Sequence, residues 1–196
     1  MQPLFLEEKV GQLLMVYFYG ETANDDAKTL IQETKVGGII YYKWANGLTS
    51  PEQVRSLSLG LQTLTQNNRV PIPLLTAADQ EGGRVQRLKE GFIGFPSNRD
   101  VARKNDPDRA ALVAEAIGKE LQSAGINMNF APVIDVDSNP KNPVIGSRSF
   151  SIDPKVVALF GEKALEGMKA SVLLRRWSTF PDTEMLKLIL MKICLF

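Results

Sequence analysis

The 196-residue sequence contains no histidine and only one cysteine. The absence of histidine excludes the commonest general acid–base and the commonest metal ligand of enzymes. A single cysteine excludes a disulfide framework and a cysteine-rich zinc site. Lysine and arginine number 23 against 22 aspartates and glutamates. This charge balance gives no reason to expect nucleic acid or an acidic membrane as a partner.

Long hydrophobic runs are missing as well. Residues 1–9 carry acidic side chains and no apolar core followed by small residues, so no leader peptide is predicted and we expect a cytoplasmic protein. No apolar stretch reaches the roughly 20 residues that span a bilayer. The apolar segment 185–196 is interrupted by two lysines. The sequence therefore favours a buried fragment over a membrane anchor there.

Short apolar segments alternate with amphipathic ones along the chain. Strands are predicted at residues 13–18, 36–42, 72–78 and 128–133, with a fifth beginning at 171–174. Helices are predicted at residues 24–35, from Ser50 onward, from Asp106 or Asp108 to 122, and at 154–169. Alternation of this kind is typical of parallel βα units, and the fold class is predicted as α/β.

Two architectures fit this alternation, an open doubly wound sheet and a (β/α)₈ barrel. No glycine-rich nucleotide-binding motif follows the first predicted strand, which weakens the nucleotide-binding version of the open sheet. A full barrel takes about 250 residues. The chain supplies four to five βα units, so a barrel would be incomplete. An open α/β binding module remains an alternative.

The first group of candidate site residues follows the third predicted strand, in the segment DQEGGRVQRL (79–88). Asp79 stands at the carboxyl end of the strand and Glu81 two residues later. Arg84 and Arg87 follow a pair of glycines. Carboxylates and guanidinium groups at a strand end suit a hydroxyl-rich ligand, because they accept and donate hydrogen bonds respectively. An Asp–Arg pair that braces the loop is an equally good interpretation of this spacing.

The second group lies in the loop at residues 135–150, after the fourth predicted strand. Asp135 and Asp137 offer oxygen ligands, but the other ligands and the glycine of an EF-hand loop are missing, so no metal site is predicted. We expect Asp135 to bond backbone amides of the loop. Arg148, after Gly146, is placed to reach the strand-end face. Glu8 and Trp44 are interpreted as solvated or packing residues.

Several of these segments resemble glycoside hydrolase family 3, in its bacterial β-N-acetylglucosaminidase branch. The resemblance rests on DQEGGRVQRL, the KVGGII strand, FPSN (95–98) and GINMNFAPVIDVDSNPKNPVIGSRSF (125–150). It implies a TIM-type barrel and retaining hydrolysis of terminal β-linked N-acetylglucosamine, with no cofactor. By the same resemblance, Asp79, Arg87 and Arg148 match positions that hold sugar hydroxyls. The family's nucleophile is an aspartate, and this branch takes its acid–base from an Asp–His pair.

The resemblance stops near Ser171. Where the family continues with KHFPGHGDT and DSH, this chain reads SVLLRRWSTFPDTEMLKLILMKICLF. One set of permitted codons from Ser178 onward, read one base out of frame, encodes HFPGHGDAEIDSHEDLP. We therefore predict a shifted reading frame that begins between Ser171 and Trp177. The shift also accounts for the missing histidines, of which about four are expected at ordinary usage. A divergent ending with a chance match is the alternative.

The sequence thus predicts a partial family 3 domain at residues 1–174 and a frame-shifted tail at 175–196. The resemblance implies that this chain lacks both catalytic groups and hydrolyses nothing by itself. A non-catalytic sugar-binding α/β fragment is the alternative function. The expected partner is a small N-acetylglucosaminide, and self-association through open barrel edges is expected because unpaired strands are templates for pairing.

Overall fold

Helices and short strands alternate in the computed structural model of the chain. The structure describes residues 3–139 and 141–170 and the backbone of 174–175. The elements, in chain order, are α1 (Leu6–Gln12), β1 (Met15–Val16), α2 (Asp25–Gln32), β2 (Gly38–Ile40), α3 (Lys43–Asn46), α4 (Pro51–Thr65), β3 (Leu75–Ala78), β4 (Gln80–Gly82), β5 (Val85–Gln86), α5 (Asn98–Ala102), α6 (Asp108–Ser123), β6 (Met128–Asn129), α7 (Pro154–Ala170) and β7 (Leu174–Arg175). The predicted α/β class is confirmed.

The main sheet has five strands in the order β1-β2-β3-β6-β7. Strand β2 pairs in parallel with β1, where Met15 lies opposite Gly38. It also pairs in parallel with β3, where Ile39 lies opposite Thr76. Parallel neighbours need crossover connections, and the helices between the strands supply them. A second, two-stranded antiparallel sheet is formed by β4 and β5.

The chain divides into two compact units, each with its own core. Unit 1 comprises Met1–Ala78, Arg87–Ile93 and Glu120–Met128. Helices α2 and α4 of this unit begin where the sequence predicts caps. The Asn24 side chain accepts a hydrogen bond from the Ala27 amide at 3.1 Å, and Ser50 Oγ accepts one from the Gln53 amide at 3.2 Å. Each cap satisfies a donor that the first helical turn leaves unpaired.

Unit 2 comprises Asp79–Gln86, Gly94–Lys119 and the residues from Asn129 onward. Helices α6 and α7 pack around a buried cluster that includes Phe150, Val157 and Phe160. A Cβ atom at Gly167 would stand 2.0 Å from the Ala111 carbonyl oxygen, so only glycine allows the close approach of these two helices.

Five elements were not predicted, and the observed strands are shorter than predicted. The five are α1, α3, α5, β4 and β5. Glu8, interpreted as solvated or packing, closes the first turn of α1 by accepting from the Phe5 amide at 2.8 Å. It also forms an ion pair with Arg69. These partners are 61 residues apart along the chain, so no local pattern could indicate them.

The fifth predicted strand at 171–174 lies mostly outside the described residues, which include only its last residue as the start of β7. The tail at 175–196, which the sequence predicts to be frame-shifted, also lies outside them, apart from the backbone of Arg175. Within the described part of the chain, no helix is both long and apolar enough to cross a membrane.

Candidate functional site

The residues after β3 form a sharply turned hairpin. Asp79 directly follows the strand, and Gln80 begins β4. Gly82 ends β4 and Gly83 begins the turn to β5; their φ angles are +93° and +58°, a region that residues with a Cβ atom rarely adopt. A Cβ atom at Gly82 would also stand 2.2 Å from the Pro96 carbonyl oxygen. The two glycines therefore set the position of the Asp79–Glu81 segment.

The Asp79–Glu81 segment is also held by hydrogen bonds from a buried asparagine of the neighbouring strand β6. Asn129, at the end of β6, has no exposed surface. Its Oδ1 accepts from the Gln80 amide at 3.0 Å, and its Nδ2 donates to the Gln80 carbonyl at 3.0 Å. The side-chain amide thus satisfies both backbone groups of a fully buried residue, which would otherwise be costly to remove from water.

Glu81 and Arg148 form the central pair of unit 2. Arg148 Nε donates to Glu81 Oε2 at 2.9 Å, and Arg148 Nη2 donates to Glu81 Oε1 at 2.8 Å. The side chains are 15% and 3% exposed. Such a two-point contact fixes the plane of a guanidinium group as well as its position.

The negative charges around Arg148 raise its pKa above the ordinary value. The hydrogen bonding of Arg148 to Glu81 is the largest cause, followed by the charge of Glu81 and then by the charges of Asp135 and Asp79. Burial acts in the opposite direction. Arg148 thus stands in the field of three carboxylates from two parts of the sequence and remains a cation at any physiological pH.

The loop that carries Arg148 is held by hydrogen bonds from two neighbouring side chains, those of Asn98 and Arg99. Asn98 Nδ2 donates to the Arg148 carbonyl at 2.8 Å. Arg99 donates to the Ser149 carbonyl at 3.2 Å and to Asp137 Oδ2 at 2.9 Å. Asp137 therefore has a structural partner. Among the described residues, no group of three or more acidic or cysteine side chains could hold a metal ion.

Asp79 and Arg148 lie in unit 2, close enough for the charge of Asp79 to act on Arg148. Arg87, the third predicted site residue, lies in unit 1, where its guanidinium carbon is 5.7 Å from the centroid of the Tyr42 ring. The structure thus brings Asp79 and Arg148 together and places Arg87 beside an aromatic residue. Their role in sugar binding stays a prediction.

The sequence did not predict that Glu81 pairs with Arg148 or that Asn129 supports Gln80. Glu81 was visible as the second carboxylate of DQEGGR, but its partner is 67 residues away. Chemically, the arrangement offers a carboxylate that accepts hydroxyl hydrogens at Asp79. It also offers a rigid cation with N–H groups that Glu81 does not take.

The family model for the glycosyl hydrolase family 3 N-terminal domain matches residues 5–183. The chain belongs to glycosyl hydrolase family 3. The β-hexosaminidase A of Pseudoalteromonas piscicida is 38% identical to this family 3 chain, over 91% of the chain and 33% of that relative.

Solved structures agree with this assignment. A β-N-acetylglucosaminidase from Paenibacillus sp. str. FPU-7 has a TM-score of 0.84 at 43% identity, over 88% of this chain and 32% of that one. NagZ of Neisseria gonorrhoeae, solved with N-trifluoroacetyl-D-glucosamine, has a TM-score of 0.73 at 28% identity, over 83% of this chain and 48% of NagZ. The chain spans less than half the length of these relatives. The prediction of a partial TIM-type family 3 domain is confirmed.

Proposed function

We propose that this family 3 chain is part of a hydrolase for terminal β-linked N-acetylglucosamine and carries sugar-binding residues of its active site. The relatives support the reaction and substrate class, because they are described as β-hexosaminidases and β-N-acetylglucosaminidases. Their greater length makes the activity a property of the longer protein rather than of this chain.

The observation that carries the proposal is the buried Glu81–Arg148 pair beside Asp79. Sugar hydroxyls are small, directional groups, and they are bound selectively only by donors and acceptors that are held in place. Glu81 holds the guanidinium of Arg148 through two hydrogen bonds. In the proposal, Arg148 donates to a sugar oxygen while the Asp79 carboxylate accepts from a neighbouring hydroxyl. In unit 1, Arg87 offers a donor of its own to a sugar oxygen.

The proposal assigns no hydrolysis to the chain itself. The family branch that it resembles uses an Asp–His pair as the acid–base, and the chain contains no histidine. Without the histidine of that pair, we expect the remaining groups to bind a sugar without protonating the leaving oxygen.

The test is sugar binding by the chain and its Asp79→Ala variant. We expect ligand-observed NMR to detect N-acetylglucosamine bound to the parent, with affinity reduced at least about tenfold in the variant, as loss of a charge-assisted hydrogen bond implies. Asp26→Ala, which removes an exposed carboxylate from the first turn of α2, is the matched control and should bind like the parent. Equal affinity of the parent and Asp79→Ala would contradict the proposal.

A further inference from the structure

Four aromatic side chains gather in unit 1, just after the carboxyl ends of β1 and β2. We call Tyr17, Tyr19, Tyr42 and Trp44 the aromatic platform. The Trp44 ring is the centre of the platform: it stacks on Tyr42 with centroids 5.2 Å apart and planes 17° apart. It also meets Tyr17 edge-on at 5.0 Å and Tyr19 at 5.7 Å. These are the separations of rings in favourable contact.

The aromatic platform is exposed even though its rings touch one another. Trp44 is 60% exposed, Tyr19 62% and Tyr17 43%. Large aromatic side chains normally supply buried area in a core. An exposed apolar patch of this kind marks a binding surface. Trp44, interpreted from sequence as a solvated or packing residue, is therefore better explained as part of such a surface.

The loops that carry the aromatic platform are locked together by one buried residue. Asn46 has no exposed surface. Its Nδ2 donates to the carbonyls of Phe18 at 3.1 Å and Gly20 at 3.2 Å, and its Oδ1 accepts from the Tyr42 amide at 3.1 Å. A single side chain thus joins the segment after β1 to the segment after β2. The rings are held in place before any ligand arrives, which lowers the entropy cost of binding.

Polar groups beside the rings indicate which class of ligand the aromatic platform can bind. The guanidinium of Arg87 lies 5.7 Å from the Tyr42 ring centroid, and Lys43, between Tyr42 and Trp44, pairs with Glu90. An exposed aromatic surface with charged donors and acceptors beside it suits a ligand with C–H faces and a rim of hydroxyls. The faces of aromatic rings are negative and attract such C–H groups. A pyranose ring has this form.

We propose that the aromatic platform is a stacking site for the pyranose rings of β-linked N-acetylglucosamine oligosaccharides. The identity of the sugar rests on the proposed function, whereas the stacking site rests on the exposed rings alone. The carboxyl ends of parallel strands are where α/β folds bind ligands, which agrees with the position of the site. Because four rings offer more area than one sugar covers, the site prefers oligosaccharides over the monosaccharide.

The experiment uses Trp44 as its own reporter. Trp177→Phe leaves Trp44 as the only tryptophan of the chain. The probes are N-acetylglucosamine and its β-1,4-linked tetramer. With the tetramer we expect a saturable blue shift of Trp44 emission, and calorimetry should show an affinity about tenfold lower in Trp44→Ala. Leu59→Ala, which removes an exposed apolar side chain of α4 in the same unit, should bind like the parent.

Each outcome bears on the stacking site separately from the monosaccharide site. Equal tetramer affinity in the parent and Trp44→Ala, or tetramer binding without an emission change, overturns the stacking site, whatever N-acetylglucosamine does. Loss of monosaccharide binding in Asp79→Ala with the Trp44 emission change intact supports both proposals. An unchanged monosaccharide affinity in Asp79→Ala with a tetramer-specific emission change supports the stacking site and contradicts the proposed function. If neither N-acetylglucosamine nor the tetramer binds to the parent, the stacking site and the proposed function are both overturned.

Discussion

Arg148 donates two hydrogen bonds, of 2.9 and 2.8 Å, to the carboxylate of Glu81, and both side chains are largely buried. Removal of one partner from a buried pair leaves an uncompensated charge and costs about 3–5 kcal/mol. We expect Glu81→Ala to lower the free energy of unfolding by about that amount in urea titrations. The double variant Glu81→Met with Arg148→Met should cost less than Glu81→Ala alone, because no charge is then left unpaired.

The control for this prediction is an ion pair at the surface of the same unit. Glu115 pairs with Lys119 one turn along α6, where the lysine side chain is 65% exposed. Glu115→Gln should cost no more than about 0.5 kcal/mol, because solvent screens such pairs. A cost for Glu81→Ala no larger than that of Glu115→Gln would show that the buried pair has little structural importance.

The order of strands and helices was accessible from sequence because it depends on local signals. Asn24 and Ser50 cap helices where the pattern of polar and apolar residues changes. Asp79 ends the run of apolar residues that forms β3. The pairing of Glu81 with Arg148 was not accessible, because it depends on packing between segments 67 residues apart.

The same limit applies to the aromatic platform. Tyr42 and Trp44 alternate at a strand end, a pattern that equally fits packing residues. Only the exposure of Trp44 and its contact with Tyr17 distinguish the two interpretations. Family resemblance likewise pointed to Arg87 but did not indicate that it lies beside Tyr42.

The hydrogen bonds between Asn129 and Gln80 require one donor and one acceptor on the same side chain. Asn129→Asp keeps the shape but presents a second acceptor to the Gln80 carbonyl, which then loses its donor. We expect a loss of about 1–3 kcal/mol in the free energy of unfolding and weaker binding of N-acetylglucosamine. Asn142→Asp, in an exposed loop where Oδ1 accepts from the Val144 amide at 2.9 Å, should behave like the parent. Equal effects of the two substitutions would rule out this role for Asn129.

The environment of the Glu120 carboxyl predicts that the free energy of unfolding falls as pH rises. Its Oε1 accepts from the Ile93 amide at 2.8 Å, whereas Oε2 has no hydrogen-bond partner within the described residues. Burial raises the pKa of the Glu120 carboxyl, and the bond from Ile93 opposes this only in part. A carboxyl with a raised pKa holds its proton longer in the folded chain than in the unfolded one. Stability from this group therefore falls as pH rises from about 4.3, the unfolded value, through the folded pKa.

Glu120→Gln removes this dependence because the amide does not ionise. We expect the variant to gain stability relative to the parent as pH rises from 4 to 8, measured as the difference in unfolding free energy from urea titrations at each pH. Glu33→Gln, at the exposed end of α2, is the matched control for the substitution itself. A difference between Glu120→Gln and the parent that stays constant over this range would contradict the role assigned to burial.

Hydrolysis of β-N-acetylglucosaminides should depend on restoring the family segment that contains His-Phe-Pro-Gly-His. The 196-residue chain is expected to release no product above background from an aryl β-N-acetylglucosaminide, because it has no histidine to serve in an Asp–His pair. A gene corrected to encode His-Phe-Pro-Gly-His in frame and extended to full length should be active. Asp79→Ala in that protein should mainly lower kcat/KM. Turnover by the purified uncorrected chain would refute this prediction and the frame-shift interpretation with it.

Self-association is expected at the edge of the main sheet. Within the described residues, β1 pairs with β2 alone and stands first in the strand order, so its other side presents unpaired backbone groups. The neighbouring α1 region exposes Leu6 at 72% and Leu13 at 85%. An apolar surface beside an open strand edge favours contact with a second copy.

Light scattering after size-exclusion chromatography should therefore give a mass above that of one chain, and the double substitution Leu6→Lys with Leu13→Lys should lower that mass. Leu112→Lys, at a 66% exposed position on α6, adds charge elsewhere and should leave the mass unchanged. A single-chain mass for the parent would mean that the β1 edge is not an association surface.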